Sequence, residues 1–137
     1  MKMKEYLSQA FHVDQRINSK LEQVRSLYEL AKRTTTIYTD MPGCPNKKGD
    51  HMESTILKII TLKEEIDRDI DALVDLKTDI AHMIKSLENH EYQIVLEERY
   101  LSYMSMEQIA VDLTFSIQHT YRIHDKAVNA LEKIYKR

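Results

Sequence analysis

The stretch DLTFSIQHTYRIHDKAVNAL, residues 112–131, decides which fold the C-terminal third of the chain adopts. It contains the end of one short helix, a tight turn and most of a longer helix, because the helical apolar spacing stops at Leu113 and resumes after Ser116. A serine hydroxyl is favourable just before a helix, so Ser116 predicts where the longer helix begins. Two helices joined by a turn of about three residues are typical of a helix-turn-helix.

The residues before this stretch predict two more short helices. EYQIVLEERYLSY is amphipathic with helical spacing, and SMEQIAVDL follows it directly. Ser105 with Gln108 three residues later predicts a capping box at the start of the second of these helices. Residues 90–137 are therefore expected to form a three-helix module whose last helix covers about 116–136.

The first two thirds of the chain predict two long helices, over 5–33 and 51–88, joined by a loop at about 34–51. Pro42, Gly43 and Pro45 lie within that loop, as does Cys44, the single cysteine. The two helices are expected to pair as an antiparallel, coiled-coil-like hairpin, so the predicted fold class is all-α. The apolar positions behind this prediction are Leu7, Ala10, Ile17, Leu21, Val24, Tyr28 and Ala31, then Ile56, Ile59, Ile66, Ile70, Leu73, Ile80, Met83 and Leu87.

The longer of the two helices carries a second apolar strip, formed by Leu57, Ile60, Leu76 and Ile84. A helix of this length needs partners along its length, and the strip favours a second copy of the chain. Residues 1–89 are thus expected to be an oligomerisation or partner-binding module, most simply a dimer through helices 5–33 and 51–88. Residues 90–137 are expected to bind DNA.

Composition argues against several other functions. The sequence contains no run of about 18 apolar residues, which a membrane span would need, so a cytoplasmic protein is expected. The six His have no metal-ligand spacing, and no nucleophile and base pair or glycine-rich phosphate loop is visible, so neither a metal, a cofactor nor an enzyme is expected. The acidic residues of 51–91, ten against five basic, spread around a helix and indicate a solvated surface.

Apolar spacing also predicts which side of the last helix is buried. Its inner stripe is expected to be Thr120, Ile123, Ala127, Ala130, Leu131 and Ile134. Polar residues near the start of the helix then face outward, where a helix in the major groove of DNA reads base edges. From the pattern alone, an ordinary three-helix bundle with a wet face remains an equal alternative.

The residues themselves resemble a known motif. SMEQIAVDLTFSIQHTYRIHDKAVNAL is similar to the region-four helix-turn-helix of bacterial primary sigma factors, and LEERYLSYMS resembles the helix that precedes it. Most of the chain is similar to small phage-encoded transcriptional regulators of Gram-positive hosts, the ArpU/RinA-type late-gene activators. That similarity includes the stretches YLSQAFHVDQRINSKLEQVRSL and ALVDLKTDI. The positions that match the sigma factor motif are Glu107, Gln108, Ile109, Ala110, Leu113, Ser116, Arg122, Ile123, Ala127 and Leu131.

The resemblance implies roles for individual residues. Base contacts are expected from Ile117, Gln118, His119, Tyr121 and Arg122; phosphate contacts are expected from Ser105, Ser116 and Lys126. Arg122 can grip guanine bidentately and Gln118 can do the same for adenine. Sigma factors commonly have Arg and Glu at the positions of Ile117 and Gln118, so a different target sequence is expected. They commonly have Gly or Asn where this chain has Thr114, which is costly there if its φ is positive.

The expected function is that of a transcriptional regulator that binds double-stranded DNA sequence-specifically. Its expected target is a phage control region, where it would activate late genes. Two alternatives remain open. The protein could be an adaptor whose acidic helices bind host RNA polymerase or a phage or satellite-encoded inhibitor. It could also be the small subunit of a DNA-packaging terminase, which likewise couples a helix-turn-helix to oligomerising helices.

Overall fold

The computed structural model describes the backbone of residues 2–39 and 45–135, and the side chains of residues 2–33 and 52–135. Within these residues every regular element is helical, which confirms the all-α fold class. The elements are α1 (Met3–Thr39), α2 (Pro45–Lys85), α3 (His90–Leu96), a π-helical turn (Glu97–Leu101), α4 (Met106–Leu113) and α5 (Ile117–Tyr135).

The loop predicted over 34–51 is longer than the segment between the two long helices in the structure. Helix α1 continues to Thr39 and α2 begins at Pro45, which leaves 40–44, including Cys44, outside the described residues. Threonine lowers helix propensity by less than about 1 kcal/mol per residue, so a run of three Thr does not end a helix. Proline is well tolerated at the first position of a helix, where its missing N–H needs no partner.

Two compact units make up the chain. The hairpin unit comprises Asp14–Ala72, and the C-terminal unit comprises Met1–Val13 with Leu73–Arg137. The assignment of separate roles to residues 1–89 and 90–137 stays a prediction.

In the hairpin unit, α1 and α2 pack against each other in antiparallel directions. Lys20 Nζ lies 2.7 Å from Asp69 Oδ2, and Lys63 Nζ donates to Tyr28 Oη over 2.8 Å, so later residues of α1 meet earlier residues of α2. This confirms the predicted pairing of the long helices. Of the expected seam, Ile17, Val24, Ile59 and Ile66 are buried, whereas Leu21, Tyr28, Ile56 and Ile70 remain 42–49% exposed.

The C-terminal unit has a core to which each of its helices contributes. Ile84, expected on an outward strip of α2, is fully buried in this core, and Leu76 of the same strip packs against it. Asn89 begins α3, since its Oδ1 accepts the N–H groups of Glu91 and Tyr92. The buried residues of the core are Leu7, Ala10, Ile80, Ile84, Leu87, Leu96, Tyr100, Ala127, Val128 and Leu131, with Val95, Met106, Ile109 and Ile123 in a second cluster.

Candidate nucleic-acid interface

The turn between α4 and α5 has the conformation that the sequence made costly. Thr114 lies in the left-handed region with φ 57° and ψ 37°, and its N–H bonds to the carbonyls of Ala110 and Val111. The Phe115 N–H then donates to Ala110 O over 2.9 Å. These bonds satisfy carbonyls at the end of α4 and turn the chain within three residues, so the predicted helix-turn-helix connection is present.

Both helices of the motif are capped as predicted. Ser105 Oγ accepts the Gln108 N–H at 3.1 Å, while Gln108 Oε1 accepts the Ser105 N–H at 2.9 Å, which completes the capping box. At the start of α5, Ser116 Oγ accepts the N–H of His119 at 3.1 Å. Each cap fixes where its helix begins and therefore which residues occupy its first turn.

The buried side of α5 differs in part from the predicted inner stripe. Thr120, Ile123, Ala127 and Leu131 are buried as expected, and Ala130 is half-buried. Ile134, expected inside, is 51% exposed, because the buried residues of α5 end at Leu131. The sequence prediction missed two buried residues, His124 and Val128. Val128 lies three residues before the buried Leu131, so helical spacing could have included it, whereas the polar His124 gave no such signal.

Most of the expected base-contacting residues share the outer side of the first two turns of α5. Gln118 and Arg122 are exposed, and Ile117 and Tyr121 are 39% and 48% exposed. These four occupy positions i, i+1, i+4 and i+5, which neighbour one another on a helix surface. His119 is only half-buried and contacts the Phe115 ring edge-on, with ring centroids 4.8 Å apart. Its ring therefore also holds the turn in place.

The expected phosphate-contacting residues are distributed over both helices of the motif. Ser116 and Lys126 are exposed on the segment that begins and forms α5. Ser105 is half-buried at the start of α4, where its hydroxyl already accepts a backbone N–H. Its position at a helix N-terminus still leaves backbone N–H groups of the first turn facing outward, as an anion requires.

A buried polar pair fixes α5 against the core. Tyr100 Oη lies 2.6 Å from His124 Nε2, and His124 Nδ1 lies 3.1 Å from Asp125 Oδ1. Because the Asp125 carboxylate can only accept, Nδ1 carries the proton and Nε2 accepts the Tyr100 hydroxyl. Burial lowers the pKa of His124 and raises the pKa of Tyr100 to about 12, so both groups are neutral near pH 7.

A second titratable pair joins the π-helical turn to α4. Glu98 Oε2 is buried and has no hydrogen-bond partner within the described residues. Burial, followed by the hydrogen bond and the negative charge of Asp112, raises the pKa of Glu98 to about 7. Glu98 is therefore partly protonated near neutral pH, and in that form it can donate a hydrogen bond toward Asp112.

Most of the chain matches a protein family whose description gives no activity. The profile described as "Protein of unknown function (DUF1492)" matches residues 33–132, which is more than half of the sequence. The chain belongs to the DUF1492 family. Its matched region covers α2, α3, the π-helical turn, α4 and nearly all of α5, and it therefore includes the turn between α4 and α5.

No significant match was found among curated proteins or among solved structures. Among the residues that the structure describes, no helix of this DUF1492 protein is long and apolar enough to cross a membrane. Within the same residues, no group of three or more His, Cys, Asp or Glu is arranged to hold a metal ion.

Proposed function

We propose that this protein is a sequence-specific DNA-binding transcriptional regulator that inserts α5 into the major groove. The observation that carries the proposal is that the side chains of Gln118 and Arg122 are exposed and unpaired within the described residues. Both are exposed on the first two turns of a capped helix, and neither has a side-chain hydrogen bond or ion pair within the described part of the chain. Side chains with this freedom and chemistry are the ones that read base edges.

Each residue of this surface has a specific part in the proposal. Arg122 donates two hydrogen bonds to guanine O6 and N7, and Gln118 pairs with N6 and N7 of adenine. Ile117 and Tyr121 offer apolar surface to a thymine methyl group. The imidazole of His119, which lies beside Phe115, also contacts a base. Lys126 and the two capping serines, Ser105 and Ser116, hold the DNA backbone and set the register of the helix.

The resemblance to ArpU/RinA-type regulators extends the proposal to biology. On that basis the protein activates late genes of a phage in the cytoplasm of a Gram-positive host and acts by binding rather than by catalysis. Ile117 and Gln118 depart from the residues usual in sigma region four, so its target differs from the promoter hexamer that those factors bind.

The proposal is tested by selecting duplexes of random sequence on the full-length protein, without any assumption about the target. Enrichment of one sequence, bound more weakly as salt concentration rises, is the expected result. Binding that is equal for all duplexes, or absent at low salt, would contradict sequence-specific recognition.

A second candidate function, an adaptor for a protein such as RNA polymerase, has one feature in its favour. Val111 on α4 is 79% exposed, and the exposed carboxylates of Glu107 and Asp112 lie near it on the same helix. An exposed apolar residue beside acidic groups suits a basic, partly apolar protein surface. Co-purification with polymerase from a nuclease-treated lysate, abolished by Val111→Arg while duplex selection fails, would favour this function.

A further inference from the structure

Among its described residues, the hairpin unit leaves seven large apolar side chains 42–60% exposed, of which Leu30 and Leu57 lie on other sides of their helices than the remaining five. Leu21 and Tyr28 lie on α1 with 49% and 43% of their surface exposed, and Ile56, Ile60 and Ile70 lie on α2 with 47%, 47% and 42% exposed. Two paired helices cannot bury more than one stripe each. These five residues, called here the apolar face, form a second stripe on each helix.

The two stripes lie on the same side of the hairpin. At about 100° per residue, Leu21 and Tyr28 are rotated by roughly 40° from the buried Ile17 and Val24 of α1. The exposed isoleucines of α2 are rotated in the same sense from the buried residues of that helix. Because the two helices run in opposite directions, equal senses of rotation bring both stripes to one side.

Contacts across the hairpin confirm this geometry. Lys63 lies seven residues from both Ile56 and Ile70, and it donates to Tyr28 Oη over 2.8 Å with its ammonium 5.2 Å from the ring centroid. The α1 and α2 stripes therefore meet at this pair. Lys20 contacts Asp69 and Glu65 at 2.7 and 3.7 Å, and these residues are rotated the opposite way from the buried seam.

We propose that the apolar face is where a second copy of this chain docks, so that two hairpins form a four-helix bundle. The exposed area of the apolar face is large enough for a second copy of the chain. A buried tyrosine covers on the order of 200 Å², so five half-exposed side chains of this size offer about 400–500 Å². An interface of standard size covers about 800 Å² per partner and is about 60% apolar, which is the same amount.

The test is the dissociation constant of the full-length dimer, measured by sedimentation equilibrium without DNA. Ile60→Glu places a charge in the apolar face, and because Ile60 is already half exposed the monomer tolerates it. Leu30→Glu is the matched control, since Leu30 is 49% exposed on α1 but lies on the other side of the hairpin. We expect Ile60→Glu to weaken the dimer at least about 30-fold and Leu30→Glu to change it less than about threefold.

Several outcomes would overturn the proposal. A wild-type chain that stays monomeric up to 100 µM (about a hundred times a 1 µM dissociation constant) has no such interface and leaves the face to another partner. Equal weakening by both variants, with unchanged helicity, would place the interface elsewhere. A ring of eight or more subunits would also contradict a closed pair. Because no DNA is present, the result is independent of the proposed DNA-binding function.

Discussion

Replacing Thr114 by glycine should make the protein more stable. Thr114 is a β-branched residue held at φ 57° and ψ 37°, and the left-handed region costs an L-residue about 1–2 kcal/mol. Glycine adopts this conformation without that cost but loses about 0.5–1 kcal/mol through its more flexible unfolded chain. The exposed bond from Thr114 Oγ1 to Leu113 O, 2.6 Å long, is also lost and contributes little.

The expected net effect is a gain of about 0.5–1 kcal/mol in the free energy of unfolding, or roughly 2–4 °C in Tm. Urea and thermal denaturation of the full-length protein, at one fixed concentration, measure both quantities. Thr114→Ala separates the causes, since it removes the hydroxyl and the β-branch but keeps the Cβ that makes positive φ costly. We expect it to gain less than the glycine variant.

Thr78→Gly is the matched control for this prediction. Thr78 is exposed within α2, seven residues before that helix ends, and belongs to the same compact unit as Thr114. Its hydroxyl also donates to a backbone carbonyl, that of Val74. In a helix interior, glycine is worse than threonine by a few tenths of a kcal/mol, so this variant should lose stability. If Thr114→Gly also loses stability, the reasoning about the turn is wrong.

Three further substitutions test the buried Tyr100–His124 hydrogen bond, the Glu98 carboxyl and the capping box of α4. Tyr100→Phe leaves His124 Nε2 buried without a donor, so it should lower the free energy of unfolding by about 1–3 kcal/mol in urea titrations; a loss below 0.5 kcal/mol (about the smallest net hydrogen-bond contribution) would argue against this bond. Because the pKa of Glu98 is raised to about 7 in the folded state, its stabilising contribution is complete below about pH 4.5 and is lost as the pH rises through 7. The wild type should therefore lose stability relative to Glu98→Gln across this range, and parallel pH profiles in thermal denaturation would contradict the shift. Ser105→Ala should cost about 1 kcal/mol through the capping box, whereas Ser102→Ala, at an exposed serine nearby, should change the unfolding midpoint little.

The short helices and their caps could be predicted because their signals are local. Ser105, Gln108 and Ser116 lie where the capping rules put them, and Thr114 has the positive φ that the sequence analysis had treated as a condition. Helical spacing also identified the buried Ile123, Ala127 and Leu131. Each of these inferences depends on residues at most eight positions apart in sequence.

Features that depend on distant packing were predicted less well. Periodicity shows which side chains could be buried, but not how many partners are present to bury them, so Leu21 and Tyr28 were assigned to a seam that leaves them half exposed. His124 was missed because a polar residue becomes a core residue only when a partner such as Tyr100 is brought to it. The π-helical turn, in which Ser102 N–H bonds to Glu97 O, has no sequence signature.

The measurement that tests the central claim most directly is the affinity of a double variant, Gln118→Ala with Arg122→Ala, for the duplex selected on the wild type. Gln15→Ala with Arg16→Ala is the matched control, because both residues are exposed on α1 and the change in charge is the same. If α5 reads the bases, the first pair should lose at least about 30-fold in affinity, from about 1–3 kcal/mol per base contact, and the control pair should lose far less. Equal affinities for the two double variants would contradict recognition through α5.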